Sequence, residues 1–145
     1  MKIPFLVGVV AALIGFALVA AADDGKSTDG VWKPVKAELA GKPMPPAVIE
    51  AITLKIRGDR YEVTVKGEAG VDKGTCRLDA ASKPKRMIIT GTDGPNKGKT
   101  FEAIYEVKGK TLRVCYDLSG AGTPRDFKTT KGTRLFLATY QRQKQ

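Results

Sequence analysis

Over most of the chain beyond residue 51, apolar and polar residues alternate with a period of two, the signature of half-buried β-strands. Pairing neighbouring runs across their turns tests that reading. With Gly58-Asp59 as a two-residue hairpin loop, Ile56 faces Tyr61, Leu54 faces Val63 and Ile52 faces Val65, so one face is wholly apolar. The opposite face sets Lys55 against Glu62 and Thr53 against Thr64, and only Arg57 against Arg60 is unfavourable. With Lys108-Gly109 as a second loop, Tyr105 falls opposite Leu112, Ala103 opposite Val114 and Phe101 opposite Tyr116. The other face then pairs Glu106 with Thr111, Ile104 with Arg113 and Glu102 with Cys115, a mostly polar and therefore wet side. A slip of one residue would scramble both faces of either hairpin.

The remaining segments complete a meander. Gly30 to Leu39 is extended, and Pro34 inside it removes a ladder donor, which predicts a bulge or one-sided pairing there. Pro45 to Ala51 predicts a short helix opened by proline, too short to persist unless it packs on something. Val71 to Asp79 places Gly74, Cys76 and Leu78 on one face, and Lys85 to Gly91 places Met87 and Ile89 inward. Leu118 to Gly132 is a polar loop, and Thr133 to Arg142 is a last strand whose contiguous Leu135, Phe136 and Leu137 predict cover on both sides. Eight consecutively connected antiparallel strands, with one short helix between strands 1 and 2, close most economically as an all-β, eight-stranded antiparallel up-and-down barrel, because closure removes both edges. A two-sheet sandwich is the alternative.

Ahead of the meander, Lys2, an apolar run from Ile3 to Val19 and Ala20-Ala21-Ala22 have the layout of a secretory signal cleaved before Asp23. The run is also long enough to serve as an uncleaved anchor. The expected organisation is a signal peptide over 1–22, a flexible leader over 23–29 and a single barrel domain over 30–145. Such a protein is exported to the periplasm, the cell envelope or the medium, with no membrane span after cleavage.

A net charge of +10 suits anionic partners such as an envelope polymer or lipid headgroups. The basic residues are spread along every segment, and aromatic residues are only 7% of the chain, which disfavours nucleic acid as a partner.

The chain has no histidine, so the commonest general base, triad partner and zinc ligand is missing. Gly98-Lys99-Thr100 superficially resembles a phosphate loop, but Asp93 stands where the first glycine is required and the lysine leads into a strand instead of a helix. Glu102 and Glu106 share the outer face of one strand, where carboxylates are more often solvated than catalytic. These observations predict no catalytic residue, no metal site, no cofactor and no enzymatic activity. Cys76 points inward and Cys115 outward on strands four and seven, which are not neighbours in a barrel; a bridge needs Cα atoms within about 7 Å, so two free thiols are expected.

Gly30-x-Trp32 on the first strand resembles the lipocalin signature. The segments GVWKPVKAELAGKPMP, Lys73 to Lys85, TDGPNKGKTFEAIYEVKGKTLRVCY and Thr123 to Phe127 resemble the small, uncharacterised lipocalin-like domain family numerous in planctomycete-type bacteria. The run Gly94 to Thr100 is the most specific of them, and Pro34 departs from the family by standing where an apolar strand residue is usual. The resemblance implies a lipocalin-like exported barrel, with Gly30, Trp32 and Arg142 closing its bottom through a guanidinium stacked on the indole. It transfers no catalytic residue.

Two functions fit this reading. A small apolar or amphipathic molecule could occupy the interior, lined by Leu54, Ile56, Tyr61, Val63, Met87, Ile89, Phe101, Ala103, Tyr105, Leu112, Val114 and Tyr116, with Pro45 to Ala51 as a lid. Alternatively, the same side chains fill a solid core, and the basic exterior with the loop Leu118 to Gly132 docks on an envelope component without any small-molecule ligand.

Overall fold

The computed structural model describes residues 27–144, so the expected signal segment lies outside it. Ten elements follow in order: β1 (Gly30–Leu39), β2 (Lys42–Pro43), α1 (Pro46–Glu50), β3 (Ile52–Arg57), β4 (Arg60–Val65), β5 (Val71–Asp79), β6 (Lys85–Asp93), β7 (Thr100–Lys108), β8 (Thr111–Asp117) and β9 (Leu135–Arg142). Every pairing between strands is antiparallel, and β1 also pairs with β9, which closes an eight-stranded barrel. The two-residue β2 merely folds back on the end of β1 outside that ring.

The β3–β4 register is the one the pattern predicts, from Ile52 with Val65 to Arg57 with Arg60. The proline in β1 also acts as expected. Pairing with β9 shifts between Pro34 and Lys36, so that Pro34 and Ala37 face inward while Val35 and Lys36 both face solvent. Val35 is left 55% exposed as a result.

The β7–β8 hairpin corrects the expectation. Lys108 pairs with Thr111, so Gly109-Lys110 forms the loop and Tyr105 faces Val114 where Leu112 was expected. The shift is two residues and keeps every side chain on its predicted face. Its physical reason is visible on the outer face: Glu106 now lies against Arg113, with Arg113 Nη2 3.1 Å from its carboxylate, and Ile104 lies against Cys115. The predicted register would have put Ile104 against the guanidinium.

That outer face is not wet either. Ile104 is 1% exposed and Cys115 fully buried, because the segment 118–134 lies over them. The Arg113 guanidinium stacks 4.3 Å from the centre of the Phe127 ring, Thr123 donates to Glu102, and Thr129 donates to Glu38 across on β1. Leu135 and Leu137, on the outer face of β9, are half-buried beside it, which accounts for the contiguous apolar run there.

The alternation of an up-and-down barrel puts the first residues of β1, the hairpin turns at 58–59, 80–84 and 109–110, and the end of β9 at one end. Around it the interior is filled by Trp32, Ile56, Tyr61, Cys76, Met87, Tyr105 and Leu112, all buried. The other end is framed by 40–51, 66–70, 94–99 and 118–134.

Candidate functional site

Trp32 is completely buried at the closed end, with its indole N–H donating to the Thr28 carbonyl at 2.9 Å. The Arg142 guanidinium lies 4.3 Å above the indole ring and donates to the backbone carbonyls of Asp29 and Ser27. Gly30 makes the approach feasible: a Cβ there would stand 2.8 Å from Arg142 Nη1. Ser27, Thr28 and Asp29, the last residues of the expected leader, are thus built into the barrel floor, and Asp29 also accepts from the Gly58 amide at 2.8 Å. Such a cation–π contact contributes about 1 kcal/mol.

Of the twelve side chains named as lining, Leu54, Ile56, Tyr61, Met87, Phe101, Ala103, Tyr105, Leu112 and Val114 are buried, whereas Val63, Ile89 and Tyr116 are half-buried. Phe136 of β9 joins them: its ring meets Tyr116 at 5.5 Å, and Tyr116 meets Phe101 at 5.4 Å. These three rings form an aromatic wall. The helix α1 contributes no buried residue, and its Val48 is 41% exposed.

The pattern reading also missed an interior carboxylate. Asp72 pairs with Val63 on β5 and continues the inward parity of Gly74, Cys76 and Leu78. One carboxylate oxygen accepts from the Asn96 side-chain amide at 2.9 Å, while Oδ1 is buried with no hydrogen-bond partner. The Tyr61 hydroxyl is likewise buried, and the Asp72 carboxylate faces it as an acceptor. The signal was present as parity alone, and a carboxylate near a strand end is ordinarily read as solvent-facing.

Burial, followed by the Asp72 charge, pushes the Tyr61 phenol well above its ordinary range. The same two causes push Tyr116 up to about 12, and burial with the neighbouring Tyr116 raises Tyr140. Burial pushes the Cys76 thiol to about 11 and raises Cys115 as well; both thiols are free. Each of these groups keeps its proton longer in the folded state than in the unfolded chain. Their contribution to stability is therefore full below about pH 9 and is lost as pH rises through 9 to 12. Urea midpoints should drop across that window, with phenolate absorbance and thiol reactivity appearing together with unfolding. Ready thiol modification of the folded protein at pH 8 would contradict this picture.

On the outer face, Glu102 is held by Arg86 at 2.8 Å and by Thr123. Burial works against the Glu106 charge, but Arg113 and then Lys108 outweigh it and hold this carboxyl below its usual value. Both glutamates are thus engaged in structural pairs. Among the described residues, no group of three or more His, Cys, Asp or Glu is arranged to hold a metal. No described helix is long and apolar enough to cross a membrane. A groove of about 830 Å³ runs outside the closed end past Lys55, Arg57, Arg60, Lys73 and Glu62.

The closed eight-stranded antiparallel barrel, with one end plugged by a Trp–Arg stack, is consistent with a lipocalin-like architecture. Comparison with family models, curated proteins and solved structures yields no match.

Proposed function

We propose that this protein is an exported, lipocalin-like binding protein that takes a small amphipathic molecule into the mouth of its barrel. The observation that carries this reading is the set of inward-facing apolar and aromatic side chains on the mouth side, Val63, Ile89, Tyr116 and Phe136, that are only half-buried. A calyx of this kind offers apolar and aromatic contact with a few polar groups for orientation. The leader-like pattern of residues 1–22 supports export. Native mass spectrometry of gently purified protein is expected to reveal a bound small molecule. An empty protein whose tyrosine fluorescence ignores a panel of fatty acids and aromatic compounds would remove the proposal.

A second reading rests on the outer groove. Arg57 lies directly opposite Arg60 on adjacent strands, a repulsive pair, with Lys55 and Lys73 alongside. An anionic envelope polymer would relieve that repulsion, and salt-sensitive retention on envelope material would favour it.

A further inference from the structure

We propose that the groove outside the closed end binds an acidic polysaccharide, with Arg57 and Arg60 holding a sugar carboxylate and Glu62 accepting from a sugar hydroxyl; this rests on the second reading above. The groove offers about 830 Å³ along β3, β4 and β5. Strand pairing sets its charges in two rows. Arg57 lies opposite Arg60, and about 7 Å further along the strands Lys55, Glu62 and Lys73 stand side by side. The four cations are exposed, and Glu62 is half-buried. Among the described residues none of the four forms an ion pair, and the Glu62 carboxylate accepts no hydrogen bond.

The two rows select different parts of the partner. Two guanidinium groups set directly opposite repel one another, and each presents a planar fork of N–H donors that fits a carboxylate bidentately. An anionic group bound between them offsets that repulsion. Glu62 selects differently: a carboxylate only accepts, and its place between two lysines puts a negative charge in the path of any bare polyanion. Its partner must bring donors. A phosphate chain carries charge without donors, and a neutral glucan carries donors without charge. An acidic polysaccharide carries both on successive units. Nucleic acid fits poorly, because single-stranded bases stack on aromatic platforms, whereas the one aromatic side chain at the groove is Tyr61, turned inward and 8% exposed.

Glu62 makes the test decisive, because hydroxyl recognition and charge alone predict opposite responses to its removal. Oligogalacturonate and polyphosphate of equal length share a repeating negative charge and differ in hydroxyl donors, and dextran is the uncharged control. Calorimetric titration at physiological ionic strength compares them with the general attraction of a +10 chain for anions screened. Oligogalacturonate is expected to bind more tightly than polyphosphate, and dextran not to bind. Glu62→Ala should weaken oligogalacturonate by about threefold to tenfold, the worth of one hydrogen bond, while tightening polyphosphate. Arg57→Gln combined with Arg60→Gln should weaken both by about tenfold or more. Glu68→Ala, an exposed carboxylate in the turn after β4, should change neither. Polyphosphate binding at least as tightly as oligogalacturonate, or Glu62→Ala tightening both, would overturn the polysaccharide assignment and leave an anion-binding groove standing. No binding of either polymer, or binding that ignores the arginine pair, would overturn the groove reading as well. Should Glu62→Ala fail to fold, the ranking of the three probes on the unaltered protein decides the matter alone.

Discussion

Replacing Trp32 by alanine is expected to destabilise the barrel by about 3–5 kcal/mol, the range for removing a buried large aromatic side chain. Three losses combine at this position. The indole is fully buried, so its removal leaves a cavity at the floor that the rigid strand ring cannot collapse. Its N–H bond to the Thr28 carbonyl disappears, worth about 1 kcal/mol. The Arg142 guanidinium also loses the ring it covers. Against a typical total of about 5–15 kcal/mol, such a loss consumes much of the stability. Urea unfolding followed by far-ultraviolet circular dichroism measures it. Trp32→Phe should lie between the two, because it keeps most of the burial and loses the donor. An alanine variant within about 1 kcal/mol of the parent would mean that the floor is not a cornerstone of the fold.

Gly74→Ala should cost about 1–3 kcal/mol although it adds a single methyl group. A Cβ at residue 74 would overlap the Thr90 carbonyl oxygen, which belongs to the neighbouring strand backbone, and would sit 2.7 Å from the Tyr61 ring. The backbone contact is the expensive one, since β6 cannot rotate away as a flexible side chain would. The expected response is a local separation of β5 from β6 and displacement of the Tyr61 ring from its place beneath Asp72. Thr75→Ala, half-buried on the opposite face of the same strand, should change stability by no more than about 0.5 kcal/mol. Equal stability for Gly74→Ala and the parent would show that the strand gap is adaptable.

The fold was largely legible because its pattern has a period of two and its connections are short. Ile52 to Arg57 and Arg60 to Val65 carry partners on both faces that agree on a single register, and the structure has that register. In the β7–β8 hairpin, two loop placements around Gly109 give the same inward faces, so the apolar pairs could not discriminate between them. The deciding pairs, Glu106 with Arg113 and Ile104 with Cys115, lie on the side expected to be wet. That expectation failed because period two says which side a residue faces and nothing about what covers it. Phe127 and Thr123 come from a loop with no periodicity, yet they convert an outer face into an interior one. Asp72 was obscured for a related reason: parity directs it inward, while its chemical type argues for solvent.

The pairing of β1 with β9 has a consequence for the order of folding. The contact that closes the ring joins Trp32 to Arg142, residues from opposite ends of the described chain, so most of the polypeptide must be arranged before it can form. Hairpins such as β3–β4 and β7–β8 can assemble locally and early, whereas closure carries a large loop entropy and should come late and slowly. Until then, β1 and β9 each present an unpaired edge to other chains. Aggregation during refolding should therefore rise with protein concentration and fall sharply once the last strand has docked.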